Sequence, residues 1–161
     1  MTLKNSFFLV VLFLFLVSCD KKRVFDEYKT VGQNWHKDSI VSFTFEQKDT
    51  LKKQNLFINI RNNKNYPFNN LFLIVEMEHP SKKTLVDTLE YKMAKPDGTL
   101  LGEGLSDTKE NKLFYKENFV FKNSGQYKVT IQQAVRQSGK IEGIEKLDGI
   151  TEVGFRIEKQ E

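Results

Sequence analysis

Few side chains in this sequence are reactive, and their spacing narrows what they can do. The 161 residues include one thiol, Cys19, and two imidazoles, His36 and His79. Neither histidine has a second His at metal-ligand spacing, and each sits beside a turn or a strand end, so both read as solvated loop residues. No G-x-S-x-G, H-E-x-x-H or C-x-x-C occurs. Asp and Glu are scattered over polar strand faces and turns, so no carboxylate pair of the kind a glycosidase needs can be picked out. Gly102-Glu103-Gly104 lacks the Lys-Ser/Thr ending and the following helix of a phosphate loop and reads as a bend in a strand. Trp35 and Tyr66 could form a stacking platform for a sugar, although a core or edge anchor is the favoured role for each. No enzyme class is supported, and no metal, cofactor or small-molecule ligand is expected.

Cys19 is different because of what precedes it. Lys4 is the sole charge before residue 20, and Phe7 to Val17 is an unbroken apolar run of 11 residues. As a helix that run would span roughly 16 Å, against a hydrocarbon core of about 30 Å, so it is too short to cross. A basic start, a short apolar stretch and small residues describe a secretory signal peptide. Its end, Leu16-Val17-Ser18-Cys19, resembles a lipobox. The thiol of Cys19 is then the nucleophile that receives a diacylglycerol, and the small Ser18 lets a peptidase cut between Ser18 and Cys19. The covalent lipid on Cys19 takes the place of any cofactor. With its one cysteine used this way, the domain has no Cys–His nucleophile and no internal disulfide, and must rely on its core. Each buried CH₂ contributes about 0.8 kcal/mol, so two or more acyl chains anchor the protein durably.

The remainder is ordinary globular composition, 29% charged with three Pro and nine Gly, which argues against disorder and fits one domain. A net charge of +4 with Lys interspersed among Asp and Glu leaves no nucleic-acid footprint. We divide the chain into a removed signal peptide at 1–18, a lipidated N-terminus and tether at 19–38, and a folded domain at 39–161. Asp20-Lys21-Lys22-Arg23 reads either as a basic collar for anionic headgroups or, the favoured reading, as a solvated tether.

From Ile40 the apolar period becomes two. Val41, Phe43 and Phe45 alternate with polar residues, as do Leu56, Ile58 and Ile60, and both segments predict half-buried strands. Leu71 to Met77 is nearly continuous apolar sequence and predicts a central strand buried on both faces, ended by His79-Pro80. Leu85 to Tyr91, Phe119 to Phe121, Tyr127 to Ile131 and Val153 to Ile157 complete about eight strands. Pro96-Asp97-Gly98 predicts a tight turn returning the chain into Thr99, Leu100 and Leu101. The expected fold is all-β, a single antiparallel β-sandwich of jelly-roll or Ig-like topology, with Phe43, Ile58, Leu73, Leu89, Tyr127, Val129 and Ile131 in its core. Two loops are candidate partner contacts. Arg61 to Asn70 holds five Asn in ten residues, and Gln137 to Gly149 carries three Gly amid alternating charges; Arg61, Tyr66, Asn70, Arg136 and Lys140 mark these regions.

The sequence resembles a known family from about Trp35 to Glu158. The blocks that carry the resemblance are Trp35-His36-Lys37-Asp38; Asn55 to Asn62; Tyr66-Pro67-Phe68-Asn69-Asn70-Leu71-Phe72-Leu73; and Asp87-Thr88-Leu89-Glu90-Tyr91 with Ala94, Asp97-Gly98, Leu101-Gly102 and Gly104. Gly125-Gln126-Tyr127, Gln133-Ala134-Val135-Arg136, Gly149-Ile150 and Val153 to Glu158 complete it. It is similar to the gliding motility lipoprotein GldH family of the Bacteroidota. The resemblance implies a non-catalytic accessory or scaffold component of the gliding and type IX secretion machinery, whose partners are the membrane, through its lipid, and other envelope proteins. It also implies a cell-envelope location facing the periplasm, since Lys21-Lys22-Arg23 is the opposite of the acidic run associated with surface export in that phylum. A carbohydrate-binding sandwich on a surface lipoprotein is the alternative.

Overall fold

A computed structural model describes residues 20–104 and 106–160. Ser18 and Cys19, and with them the apolar leader, lie outside the described residues. Ten strands form: β1 (Arg23–Thr30), β2 (Asn34–His36), β3 (Val41–Gln47), β4 (Gln54–Asn62), β5 (Asn70–Glu78), β6 (Thr84–Lys92), β7 (Lys109–Phe119), β8 (Gly125–Gln133), β9 (Lys146–Asp148) and β10 (Ile150–Lys159). All pair antiparallel, as one sheet in the order β1-β10-β4-β7, a second in the order β3-β8-β5-β6, and a short β2-β9 ribbon. The fold is the expected all-β sandwich, and no helix occurs among the described residues.

Alternation explains the facing. Leu56, Ile58, Ile60, Val153, Phe155 and Ile157 of the first sheet meet Phe43, Leu73, Val75, Met77, Tyr127, Val129 and Ile131 of the second, all without solvent exposure. Phe155 lies within 6.4 Å, centroid to centroid, of four other rings: Phe25, Phe43, Phe45 and Tyr115. Six of the seven expected core residues are fully buried, while Leu89 is half-buried because β6 is an edge strand. Tyr127 serves the core and also turns a corner. Its hydroxyl donates to the Asn123 carbonyl at 3.0 Å and accepts from the Asn123 amide at 3.3 Å, closing the turn that leads into β8.

Several segments differ from the sequence reading. Residues 23–30 and 34–36, read as tether, are β1 and β2. β1 shows no clear apolar alternation because it is an edge strand whose one large core ring, Phe25, packs on Phe45 at 5.3 Å. β7, eleven residues long, begins ten residues before the strand expected at Phe119. Its five Lys and Glu on exposed or half-buried positions hide the inward Asn111, Leu113 and Tyr115. β5 is central, yet it is buried on one face only: Leu71, Leu73, Val75 and Met77 point inward, and Phe72 and Ile74 are half-buried on the outer face. The Gln137 to Gly149 segment is not a free loop, since it carries β9 and Gly149 packs against the Asn63 to Tyr66 turn. The Asn63 amide donates to the Gly149 carbonyl at 2.9 Å.

Candidate functional site

The outer face of the first sheet holds its long polar side chains in a preset arrangement. β4 lies between β10 and β7, so its outward residues Phe57, Asn59 and Arg61 are covered by neighbours on both sides. Arg61 donates from Nε to Glu110 Oε2 at 2.8 Å and from Nη1 to Glu152 Oε2 at 2.7 Å. Its guanidinium also lies 4.2 Å from the centre of the Tyr28 ring, and the Tyr28 hydroxyl donates to Glu110 Oε1 at 2.8 Å. One residue from each of the four strands is thereby tied into a single clamp. The Tyr28 ring rests on Gly154 of β10, where a Cβ would lie 2.9 Å from two ring carbons. That position needs glycine because an aromatic side chain occupies the space a larger residue would fill.

A second cluster sits toward the other end of the same face. Arg156 donates from Nη1 to Asp26 Oδ2 at 2.5 Å, from Nε to Glu158 Oε1 at 2.6 Å, and from Nη2 to Asp20 Oδ2. Lys112 Nζ reaches the same Glu158 oxygen at 2.7 Å and lies 4.2 Å from the centre of the Phe57 ring. Phe114 packs on Phe57 with centroids 4.5 Å apart and stays 56% exposed, a large apolar group presented beside fixed charges. Burial raises the Glu158 carboxyl, and the hydrogen bonds from Lys112 and Arg156 outweigh it, leaving the pKa below its ordinary 4.5. Glu110 behaves likewise: burial raises it, and the bonds from Arg61 and Tyr28 carry it below 4.5.

The sign of the resulting pH dependence follows. A carboxyl with a folded-state pKa below its unfolded value stabilises fully above about pH 4.5 and loses that contribution as pH falls through the folded value. The urea midpoint is therefore expected to drop as pH falls below about 4.5, and Glu158→Gln is expected to flatten that drop. A midpoint that rises on acidification would contradict the clamp.

The residues singled out in the sequence are not brought together. Arg61 is the hub of the first cluster. Tyr66 is in the core, 4% exposed, with its hydroxyl donating to the Asn70 carbonyl at 2.6 Å, so its ring is a loop anchor and not a surface contact. Asn70 opens β5 and donates from Nδ2 to Glu90 Oε1 at 2.8 Å. Arg136 bridges to Gly143, and the exposed Lys140 lies near the tip of that turn beside Ile141, which is 89% exposed. Trp35 is fully buried and donates from Nε1 to the Ser39 carbonyl at 2.8 Å, so Trp35 and Tyr66 offer no stacking platform. His36 lies between Asp38 and Glu145, and His79 packs against the Tyr127 ring at the opposite end of the domain. Gly102 and Gly104 shape a bend: Glu103 between them pairs with Glu110 of β7, and a Cβ on either glycine would strike a backbone carbonyl. Tyr28, Glu110, Lys112, Phe114, Glu152 and Arg156 were missed, because charges on alternate positions of a strand look the same in sequence whether solvated or cross-linked.

A sequence model described as GldH lipoprotein matches residues 23–157, from the first residue of β1 into β10. The gliding motility lipoprotein GldH of Flavobacterium johnsoniae is 63% identical over 161 residues, covering 100% of both chains. This chain belongs to the GldH lipoprotein family. A GldH homolog of Christiangramia forsetii is 54% identical, covering 98% of this chain and 99% of its own. Among solved structures, a family GH115 4-O-methyl-α-glucuronidase is similar at 13% identity and a TM-score of 0.44 over 89% of this chain. The VP2 subviral particle of infectious bursal disease virus is similar at 10% identity and a TM-score of 0.40 over 88%. The chain spans 18% and 34% of those two proteins, and neither similarity carries a functional argument. As a GldH lipoprotein the chain is a membrane-anchored protein of the cell envelope associated with gliding motility.

Charge in this GldH lipoprotein is divided between the two ends of the sandwich. At the end where β1 starts and β10 stops, the N-terminal segment brings Lys21, Lys22 and Arg23, and the β3–β4 loop brings Lys48, Lys52 and Lys53. The β5–β6 turn adds Lys82 and Lys83, the β7–β8 turn Lys122, and the end of β10 Lys159. Among the described residues these ten exposed cations face Asp20 and Asp49 in the same connections and Glu46 and Glu78 at the adjoining strand ends, Glu78 accepting from Lys82 at 2.8 Å. In the connections at the opposite end, 31–40, 63–69, 93–108 and 134–149, six Lys and Arg are set against seven Asp and Glu. The net +4 of the whole chain conceals this division.

Proposed function

We propose that this lipoprotein is a non-catalytic scaffold of the gliding apparatus and of the type IX secretion machinery bound up with it, held by acyl chains on Cys19 with its domain in the periplasm. The observation that carries the scaffold reading is the outer face of the first sheet, where each long charged residue is fixed by partners before any other protein arrives. A surface ordered in advance loses little side-chain entropy on binding, and the exposed Phe114 supplies an apolar anchor of the kind that dominates interfaces. The same geometry argues against acid–base catalysis. Glu110 and Glu158 are held below the ordinary carboxylate range by cationic partners, whereas a general acid working near neutral pH needs its pKa raised.

Two experiments test this. Metabolic labelling with a clickable fatty acid is expected to mark the wild-type protein and not Cys19→Ser; undiminished label on that variant would remove the anchor assignment. Deleting the gene is expected to stop colony spreading and reduce secretion of surface adhesins, with rescue by the wild type and not by Phe114→Asp at equal protein level. A deletion strain that spreads and secretes normally would overturn the role, and tight binding of a soluble glycan by the purified domain would favour the carbohydrate-binding alternative.

A further inference from the structure

The first described residue is already part of the domain. Asp20 accepts a hydrogen bond from Arg156, its carbonyl accepts from the Arg23 amide at 3.3 Å, and the Lys159 amide donates to the Lys22 carbonyl at 2.8 Å. Cys19 precedes Asp20 by one peptide bond, a Cα separation of about 3.8 Å. A lipid on Cys19 would therefore leave the protein at the surface of the sandwich, with no tether between them. The end it leaves from is the end that gathers ten cations against the carboxylates of Asp20, Glu46, Asp49 and Glu78. Glu161, next along the chain after Gln160, reduces that excess without reversing it.

We infer that this basic end is a membrane-docking surface for anionic phospholipid headgroups, a reading that rests on lipidation of Cys19 for its placement. Charge and shape agree with it. The β3–β4 loop and the end of β10 enclose an open groove of about 660 Å³ in which Lys48, Lys52, Lys53 and Lys159 outnumber Glu46 and Asp49. At its rim Leu51 is 87% exposed and Val24 42% exposed, apolar groups set among lysines as in other interfacial anchors. Lysines near an anionic bilayer are attracted individually and within a Debye length, so their attraction adds to that of a lipid that holds them there. The tetherless exit does this for all five chain segments at once. Strand direction then sets the orientation of the protein. β10 spans ten residues, and at about 3.3 Å per residue it carries the Arg136–Gly143 turn roughly 30 Å from the headgroups.

The test uses the chain from residue 19 onward with Cys19→Ser, which keeps every strand of the sandwich and removes the acyl chains. It is expected to co-sediment with phosphatidylcholine vesicles containing phosphatidylglycerol, not with phosphatidylcholine alone, and to release as salt is raised. Lys52→Gln with Lys53→Gln is expected to lower partitioning by roughly 25-fold, about fivefold per lysine. Arg136→Gln with Lys140→Gln at the far end is expected to leave it unchanged. An environment-sensitive dye on Leu51→Cys is expected to shift on the anionic vesicles, and the same dye on Ile141→Cys is not. Equal binding to both vesicle types, or equal loss from the far-end pair, would overturn the docking surface. Because this chain carries no lipid, its behaviour is independent of the labelling result, and either reading can fail alone.

Discussion

Replacing Gly149 with alanine is expected to lower stability by at least about 3 kcal/mol, of which about 1 to 2 is the cost of a Cβ in left-handed backbone and the remainder overpacking. Gly149 has φ +81°, and a Cβ there would lie 2.2 Å from the Tyr66 amide nitrogen and 2.6 Å from its Cα. Those are backbone atoms of a turn pinned to Gly149 by the Asn63 hydrogen bond and by the buried Tyr66 ring, so no flexible side chain can swing away. Gly98 separates the two contributions. It has φ +84° in the Pro96-Asp97-Gly98 turn with open space where the Cβ would go, and Gly98→Ala should cost only the backbone part. Urea denaturation of both variants checks this: equal midpoint shifts would mean that the close approach at Gly149 is wrong.

Truncating Phe155 to alanine is expected to cost about 3 to 5 kcal/mol through lost burial and a residual cavity. Phe155 has no solvent exposure and touches Phe25 of β1, Phe43 and Phe45 of β3 and Tyr115 of β7, so it joins both sheets and both edges of the first. Phe114→Ala is the comparison, since that ring is mostly exposed and contributes chiefly its stacking on Phe57, about 0.5 to 1.5 kcal/mol. If thermal unfolding shows the two to be equally costly, the inward facing of β10 is mistaken. The same logic separates stability from function at the outer face: Phe114→Asp should leave the fold intact while removing the apolar anchor on which the proposed scaffold role depends.

These two glycine and phenylalanine sites also show what kind of information a linear sequence holds. β3, β4, β8 and β10 were legible because an alternation of apolar residues is a local property with a period of two, and burial on one face follows from it directly. The same is true of the turn at Pro96-Asp97-Gly98, where the Lys95 amide donates to the Thr99 carbonyl as the residue types predict. β1 and β7 were not legible, since an edge strand buries few side chains and its remaining positions are free to be Lys, Asp and Glu.

What only the folded chain decided is which distant residues become neighbours. Arg61 is 33 residues from Tyr28 by number and 49 from Glu110 in its hydrogen-bond separation, and nothing local distinguishes it from Lys64 on the next loop. Antiparallel pairing of β1, β10, β4 and β7 in register makes it the centre of a clamp. The basic end arose in the same way. Along the sequence Lys and Arg are evenly mixed with Asp and Glu, giving +4 overall. Folding sorts them by strand direction, because every strand that ends at one pole hands its loop charges to that pole. A long-range field depends on the sum of charges in space, and that sum is fixed only when the topology brings five separate segments of chain to the same end.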